Sequence, residues 1–328
     1  MRITRRQILA LSGGGLLSKL FGATFEVDRL LGVDAPGARL EIRKYTASAT
    51  VMLFSIPLVS RASVGSGYAV TEEAGRTISI QFGAGSYPES ARGLNRVGFI
   101  QEAVVEEKPG VPSECAWLAF MTTSQEKNLD QAKKALEASG AMVPYSASQG
   151  VGQNGRFHAR VDRLEFPSKF TWRDITQLVE KARSAMTPLK GDEPGASNGS
   201  EKPSTFLYLV RRAILNPRPS TSGLLIFNSK EFVLETQKEP DAAATAHFSE
   251  KKLVPSGGSV MKMSAMLTEK RTGIRTPFRL WYEARSEHNL PLRFEYQARS
   301  FLRLTFEADV NAGAPPIHFA FKTSRENA

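Results

Sequence analysis

The 328-residue sequence contains one cysteine, Cys115, so no disulfide can close within the chain and the fold must rest on its apolar core. Its four histidines, His158, His247, His288 and His318, are isolated from one another and from Cys115, and no ligand spacing for a metal is present. No apolar run reaches the about 20 residues that a membrane-crossing helix needs. No regular repeat is present that would build a propeller or a solenoid. Phosphate-loop and nucleophile-elbow patterns are missing too. The stretches Gly65-Ser66-Gly67 and Gly83-Ala84-Gly85-Ser86 match neither, and they read as turn or bulge glycines. The paired carboxylates Glu72 and Glu73, and Glu106 and Glu107, fall at strand ends or turns, where a solvated face accounts for them. No catalytic residue, metal ligand or cofactor is assigned on this basis. A hydrolase with an unrecognised site is the enzymatic alternative.

Basic residues exceed acidic ones, for a formal charge of +10, but Arg2, Arg5, Arg6 and Lys19 all lie in the first nineteen residues. The other cations are spread along strands, with no recognition helix or zinc finger, which argues against a nucleic-acid partner. The start, MRITRRQILALSGGGLLSKLFGATF, joins a basic head to a short, glycine-interrupted apolar stretch. Thr4, Arg5, Arg6, Gln7, Ile8 and Leu9 resemble a twin-arginine export signal. That resemblance implies a transient export translocase partner, Arg5 and Arg6 as targeting residues, and a periplasmic or secreted destination. Residues 1–30 are then an export signal with a flexible start, ahead of a single β-rich domain over 39–322.

The densest strand pattern is 278–308. Phe278, Leu280 and Tyr282 alternate with Arg279, Trp281 and Glu283; after a turn, Leu292, Phe294 and Tyr296 alternate with Arg293, Glu295 and Gln297. A third strand follows through Leu302, Leu304 and Phe306. Further strands are expected at 39–53, with a break at Pro57, at 61–71 and 76–82 around a turn at 72–75, at 97–107, 114–121 and 157–166, and at 223–228, 231–236 and 259–268. An edge strand through Ile317, Phe319 and Phe321 is also expected. Residues 83–96 and 146–155 read as glycine-rich connections, and 237–249 as a polar excursion.

Three helices interrupt the strands. The first, 124–139, carries Leu129, Ala132 and Leu136 at helical spacing, with Thr123 and Glu126 as a capping box. The second, 172–186, has Thr171 and Asp174 as its capping box and Ile175, Leu178, Val179, Ala182 and Met186 on one face. The third, 204–215, is apolar on nearly every side except at Arg211 and Arg212, the pattern of a covered helix. An exposed loop is expected at 187–203. The whole reads as mainly β (α+β), a curved antiparallel sheet or half-barrel with a few packed helices.

The segments RKYTASATVMLFSIPLVSRASVGSGYA, GFIQEAVVEEKPGVPSECAWLAF, STFLYLVRRAIL and FRLWYEARSEHNLPLRFEYQARSFLRLTFEAD occur in an order that resembles bacterial envelope proteins of the domain of unknown function 3108 type. The helix at 124–139 departs from that pattern. The resemblance implies a curved sheet partly closed around a helix, similar to lipoprotein carriers that shelter an acyl chain. It implies no catalytic residue.

The resulting expectation is a non-enzymatic protein that binds a lipid or other apolar ligand in the concavity of the sheet. Its wall would be Phe278, Leu280, Tyr282, Leu292, Phe294 and Tyr296, with Phe206, Tyr208 and Val210 along the rim. The competing expectation is a structural or assembly protein of the envelope, meeting a protein or an anionic surface through Arg279, Arg293, Arg299 and Arg303. In that case the helix fills the groove and nothing enters.

Overall fold

The computed structural model describes residues 39–53, 56–91, 93–123, 142–153, 156–189, 204–228, 230–285, 290–299 and 302–313. The export segment with Arg5 and Arg6, the expected helix 124–139, residues 190–203 of the expected loop and the expected edge strand through Phe319 lie outside them.

Thirteen antiparallel strands run as two meanders. The first comprises β1 (Arg39–Leu53), β2 (Ile56–Ala74), β3 (Thr77–Ser86), β4 (Val97–Lys108), β5 (Val111–Thr122), β6 (Met142–Gln153) and β7 (Arg156–Pro167). The second comprises β8 (Ser220–Phe227), β9 (Lys230–Pro240), β10 (Val260–Glu269), β11 (Arg275–Glu283), β12 (Arg293–Arg299) and β13 (Leu302–Ala308). Pairing of β1 with β13 joins them into one sheet of order β7-β6-β5-β4-β3-β2-β1-β13-β12-β11-β10-β9-β8. The expected three-stranded unit at 278–308 is present as β11, β12 and β13.

The sheet is rolled. In a flat sheet Phe82 on β3 and Phe294 on β12 would stand about 19 Å apart, four spacings of about 4.8 Å. Their rings instead meet edge to face at 4.9 Å across the concave side. At the far ends, no hydrogen-bonded ladder joins β7 to β8 among the described residues. Side chains close that seam, because Ile226 on β8 is buried against Trp117 of β5 and Phe157 of β7. Ser204 adds a one-residue parallel bridge to Leu225 on the β8 edge.

Three sequence expectations are corrected here. The stretch 146–153 belongs to strand β6, not to a connection. It lacks an apolar period because Gly150 lies under the Trp117 ring, where a Cβ would sit 2.0 Å from Cζ2. Residues 237–240 continue β9, and the supposed polar excursion ends in a helix, Ala242–Glu250. Asp241 starts that helix by accepting from the Ala244 N–H at 2.9 Å. Finally, Pro57 does not break the chain from the sheet, since β2 begins at Ile56 and Pro57 pairs with Met52.

Among the described residues the helices are α1 (Ile175–Ala185), entered through a 3₁₀ turn at Trp172–Asp174, α2 (Phe206–Leu215) and α3 (Ala242–Glu250). The Thr171–Asp174 capping box is formed, and Ile175, Leu178, Val179 and Ala182 are fully buried. Together with Trp172 they cover the convex side of the first meander, packing over Tyr68, Phe99, Phe120 and Tyr145. Helix α3 covers the convex side of the second meander with Phe248, over Val260, Trp281 and Leu292. Helix α2 lies on the other, concave side, inside the roll.

Candidate functional site

Helix α2 is held in the lumen by buried charge at both ends. Thr205 occupies the N-cap position but gives no side-chain cap bond. The cap comes from β4: the two carboxylate oxygens of Glu102 accept from Leu207 N–H at 2.9 Å and Tyr208 N–H at 3.0 Å. Glu102 is 1% exposed. Burial pushes its pKa up, and the helix N–H donors oppose that rise. At the other end the Lys238 ammonium on β9 donates to the carbonyls of Ile214 and Asn216. Desolvation lowers its pKa. An acid at the N-terminus and a base at the C-terminus both complement the helix dipole and satisfy groups that a helix end leaves orphaned. Two further ties hold the middle: the Tyr208 hydroxyl donates to Glu106 at 2.5 Å, and Arg211 pairs with Glu73.

The sequence carried a sign of this arrangement. Glu102 follows Ile100 and precedes Val104 on the apolar parity of its strand, and Lys238 shares parity with Leu234 and Thr236. A charge on a core-facing row needs a partner. For Glu102 that partner is a helix more than a hundred residues away in the chain, so the strand alone could not name it.

The residues expected to form the ligand wall and its rim divide between locations. Leu280 and Tyr282 are buried beneath α2, against Ala213, Ile214 and Met263. Phe278 and Phe294 border the same cluster half-buried, and the Phe206 ring stands edge-on to Phe278 at 5.8 Å. Tyr208 is not at a rim: it turns toward the first meander and packs with Ile78, Ile80, Val104 and Trp117. Leu292 lies on the convex side, under α3 with Trp281 and Phe248. It precedes β12, so it does not follow the parity of Phe294. Tyr296 is 38% exposed.

Beyond the helix, toward the end of the roll where β12 turns into β13, the concave wall stays apolar but is incompletely covered. Phe227, Phe232, Phe278, Phe294 and Leu304 are all half-buried there, with Tyr296 more open still. Their rows are fixed by register: Phe278 opposes Tyr296, which opposes Leu304, while Phe294 opposes Phe306. Phe294 and Phe306 stack at 4.4 Å, which holds the wall rigid.

Where α3 does not cover it, the convex side of the second meander is polar. Arg279 pairs with Glu295 at 2.8 Å, and Arg293 pairs with Glu307. These are the cross-strand ion pairs of a wet face. His247 and Lys251 of the α3 segment also reach Glu307. Burial raises the Glu307 pKa, but hydrogen bonds from Lys251 and His247 and the Arg293 charge outweigh it and bring it to about 2. Trp281, which the pattern places on this charged side, is roofed by α3 and donates its indole N–H to Asp241 at 2.8 Å. An open furrow of about 480 Å³ is lined by the polar Glu235, Gln237, Ser264, Arg279, Glu295 and Arg303 and by the apolar Met266, Phe278 and Tyr296.

Cys115 is buried, and desolvation pushes its thiol pKa up, which makes it a packing residue. Among the described residues no group of three or more His, Cys, Asp or Glu is placed to hold a metal ion.

Fold and site together define a mainly β, barrel-like protein with an internal helix. No family model matches the sequence, and no curated protein matches it. Among solved structures, it is similar to a β-barrel-like protein of the domain of unknown function DUF1849 from Brucella abortus. The two are 8% identical over 83% of this chain and 98% of that one, with a TM-score of 0.43.

Proposed function

We propose that the protein is a non-enzymatic periplasmic binding protein that takes up an acyl chain or a comparable apolar ligand at the open end of its lumen. The observation that supports this reading is the half-covered wall of Phe227, Phe232, Phe278, Phe294, Leu304 and Tyr296 on the concave side, beyond the end of α2. A soluble protein gains by burying such a surface, and an acyl chain laid on it contributes about 0.8 kcal/mol per methylene. Helix α2 serves as the floor of the site. Its charge-bonded ends hold it in place, so the ligand enters above it rather than in its stead. Tyr296 at the entrance covers apolar surface with its ring, and burial around its hydroxyl raises its pKa. The N-terminal pair Arg5 and Arg6 supports an exported location.

The closed lower half of the lumen favours a second reading, a structural envelope protein with no ligand, in which Leu280, Tyr282 and α2 simply complete a core. Native mass spectrometry of the protein purified from its host envelope separates the two. A mass increment that organic extraction removes and identifies as lipid supports the binding reading. A bare chain mass throughout favours the structural one.

A further inference from the structure

We infer that the furrow on the convex side of the second meander is a binding site for a short extended peptide with free amino and carboxyl ends. Its walls are two neighbouring rows of side chains that cross the strands. The first row follows the register Gln237, Ser264, Arg279, Glu295 from β9 to β12. The second lies two residues away on each strand, with Glu235 opposite Met266, Met266 opposite Pro277, and Gln297 opposite Arg303 on β13. The short Ser264 and Pro277 stand among longer neighbours, which leaves the open volume of about 480 Å³. These residues share the outward parity of Trp281 and Arg293, so the thickness of the sheet separates the furrow from the lumen.

The occupant follows from the charges. In the middle of the furrow Arg279 and Glu295 neutralise each other at 2.8 Å. The ends differ. Among the described residues Glu235 on β9 and Arg303 on β13 form no ion pair, and the Arg303 Nε is buried without a hydrogen-bond partner. A guanidinium held partly out of water without a counter-ion is suited to receive a carboxylate. The furrow thus presents a carboxylate at one end and a guanidinium at the other, four strand spacings of about 4.8 Å apart, or about 19 Å along the sheet. A zwitterion of that span is a chain of about five or six extended residues at ~3.4 Å each. A phospholipid head, whose two charges are close neighbours, does not bridge it, and a dicarboxylate or a polyamine meets repulsion at one end. Between the ends, Gln237 and Ser264 can donate to and accept from backbone amides, and Met266 and Pro277 offer apolar contact to a side chain.

The test is isothermal titration calorimetry of the full chain with the hexapeptide Gly-Ser-Leu-Ala-Ser-Gly, its C-terminal amide, its N-acetyl form and the tripeptide Gly-Ser-Leu. The parent should bind the free hexapeptide saturably and the other peptides at least ten-fold more weakly. Arg303→Gln should lose the same factor for the free hexapeptide and no longer distinguish it from the amide, with an unchanged circular dichroism spectrum. Glu235→Gln should likewise no longer distinguish it from the N-acetyl form. Prior saturation with a fatty acid should leave peptide binding unchanged, because the lumen lies on the other face. No saturable binding of the free hexapeptide, equal binding of its amide, or displacement of the peptide by fatty acid overturns the inference.

Discussion

Glu102 and Tyr208 stand 106 residues apart in sequence, yet the carboxylate of one receives the backbone N–H of the other at 3.0 Å in a site that water does not reach. That bond fixes where α2 begins and how deeply it sits. A buried carboxylate is costly unless its oxygens are all used, and two helix N–H groups use them. The interaction is therefore a positional constraint more than a source of net stability.

Removing it should be expensive. Glu102→Ala leaves the N–H groups of half-buried Leu207 and buried Tyr208 without their acceptors and should destabilise the protein by about 2–4 kcal/mol. Urea denaturation checks this, and a cost within 0.5 kcal/mol of zero would show that α2 is not anchored there.

Leu280→Trp should cost roughly 1–3 kcal/mol, because Leu280 is packed beneath Ala213 and Ile214 with no room for an indole. If the variant melted at the parent's temperature, the lower lumen would be empty rather than filled.

Gly150→Ala should be at least as damaging, since its Cβ would sit 2.0 Å from the Trp117 ring and tilt it off β6. Near-ultraviolet circular dichroism should lose a tryptophan band. Gly98, with no positive φ and its Cβ no nearer than 3.9 Å to any neighbour, is the comparison for backbone effects alone.

Acid should loosen the convex side first. The Glu307 pKa is depressed from 4.5 to about 2, so its ionised form stabilises the fold above pH 4.5. That contribution is lost as pH falls from there to about 2, roughly 1–3 kcal/mol after allowance for partial exposure. Glu307→Gln should be less stable at pH 6 and show a smaller loss over that interval. Identical acid profiles for the two proteins would contradict the assignment.

Much of the sheet was legible because its strands alternate. Phe278, Leu280 and Tyr282 against Arg279, Trp281 and Glu283 announce a half-buried strand, and Thr171 with Asp174 announces a helix start. Strand β6 was not legible, since Gly150 fits under the ring of Trp117 and Ser148 accepts its indole N–H, and that partner lies on another strand. Helix α3 was hidden because AAATAHFSE has no clear apolar stripe and buries only Ala244 and Phe248. The wall residues were read correctly in parity where they lie within one strand. Leu292 and Tyr208 were misplaced because a strand's entry and a helix's rotation are set by tertiary contacts, with Trp281 in one case and Glu106 in the other.

The central claim is that the open end of the lumen holds an apolar ligand while α2 stays in place. Titrating a fluorescent fatty acid into delipidated parent protein and into Tyr296→Glu tests it most directly. Saturable uptake by the parent, at least ten-fold weaker in Tyr296→Glu with its melting midpoint unchanged, is the expected result. No saturable uptake by the parent, or equal uptake by both, would contradict it.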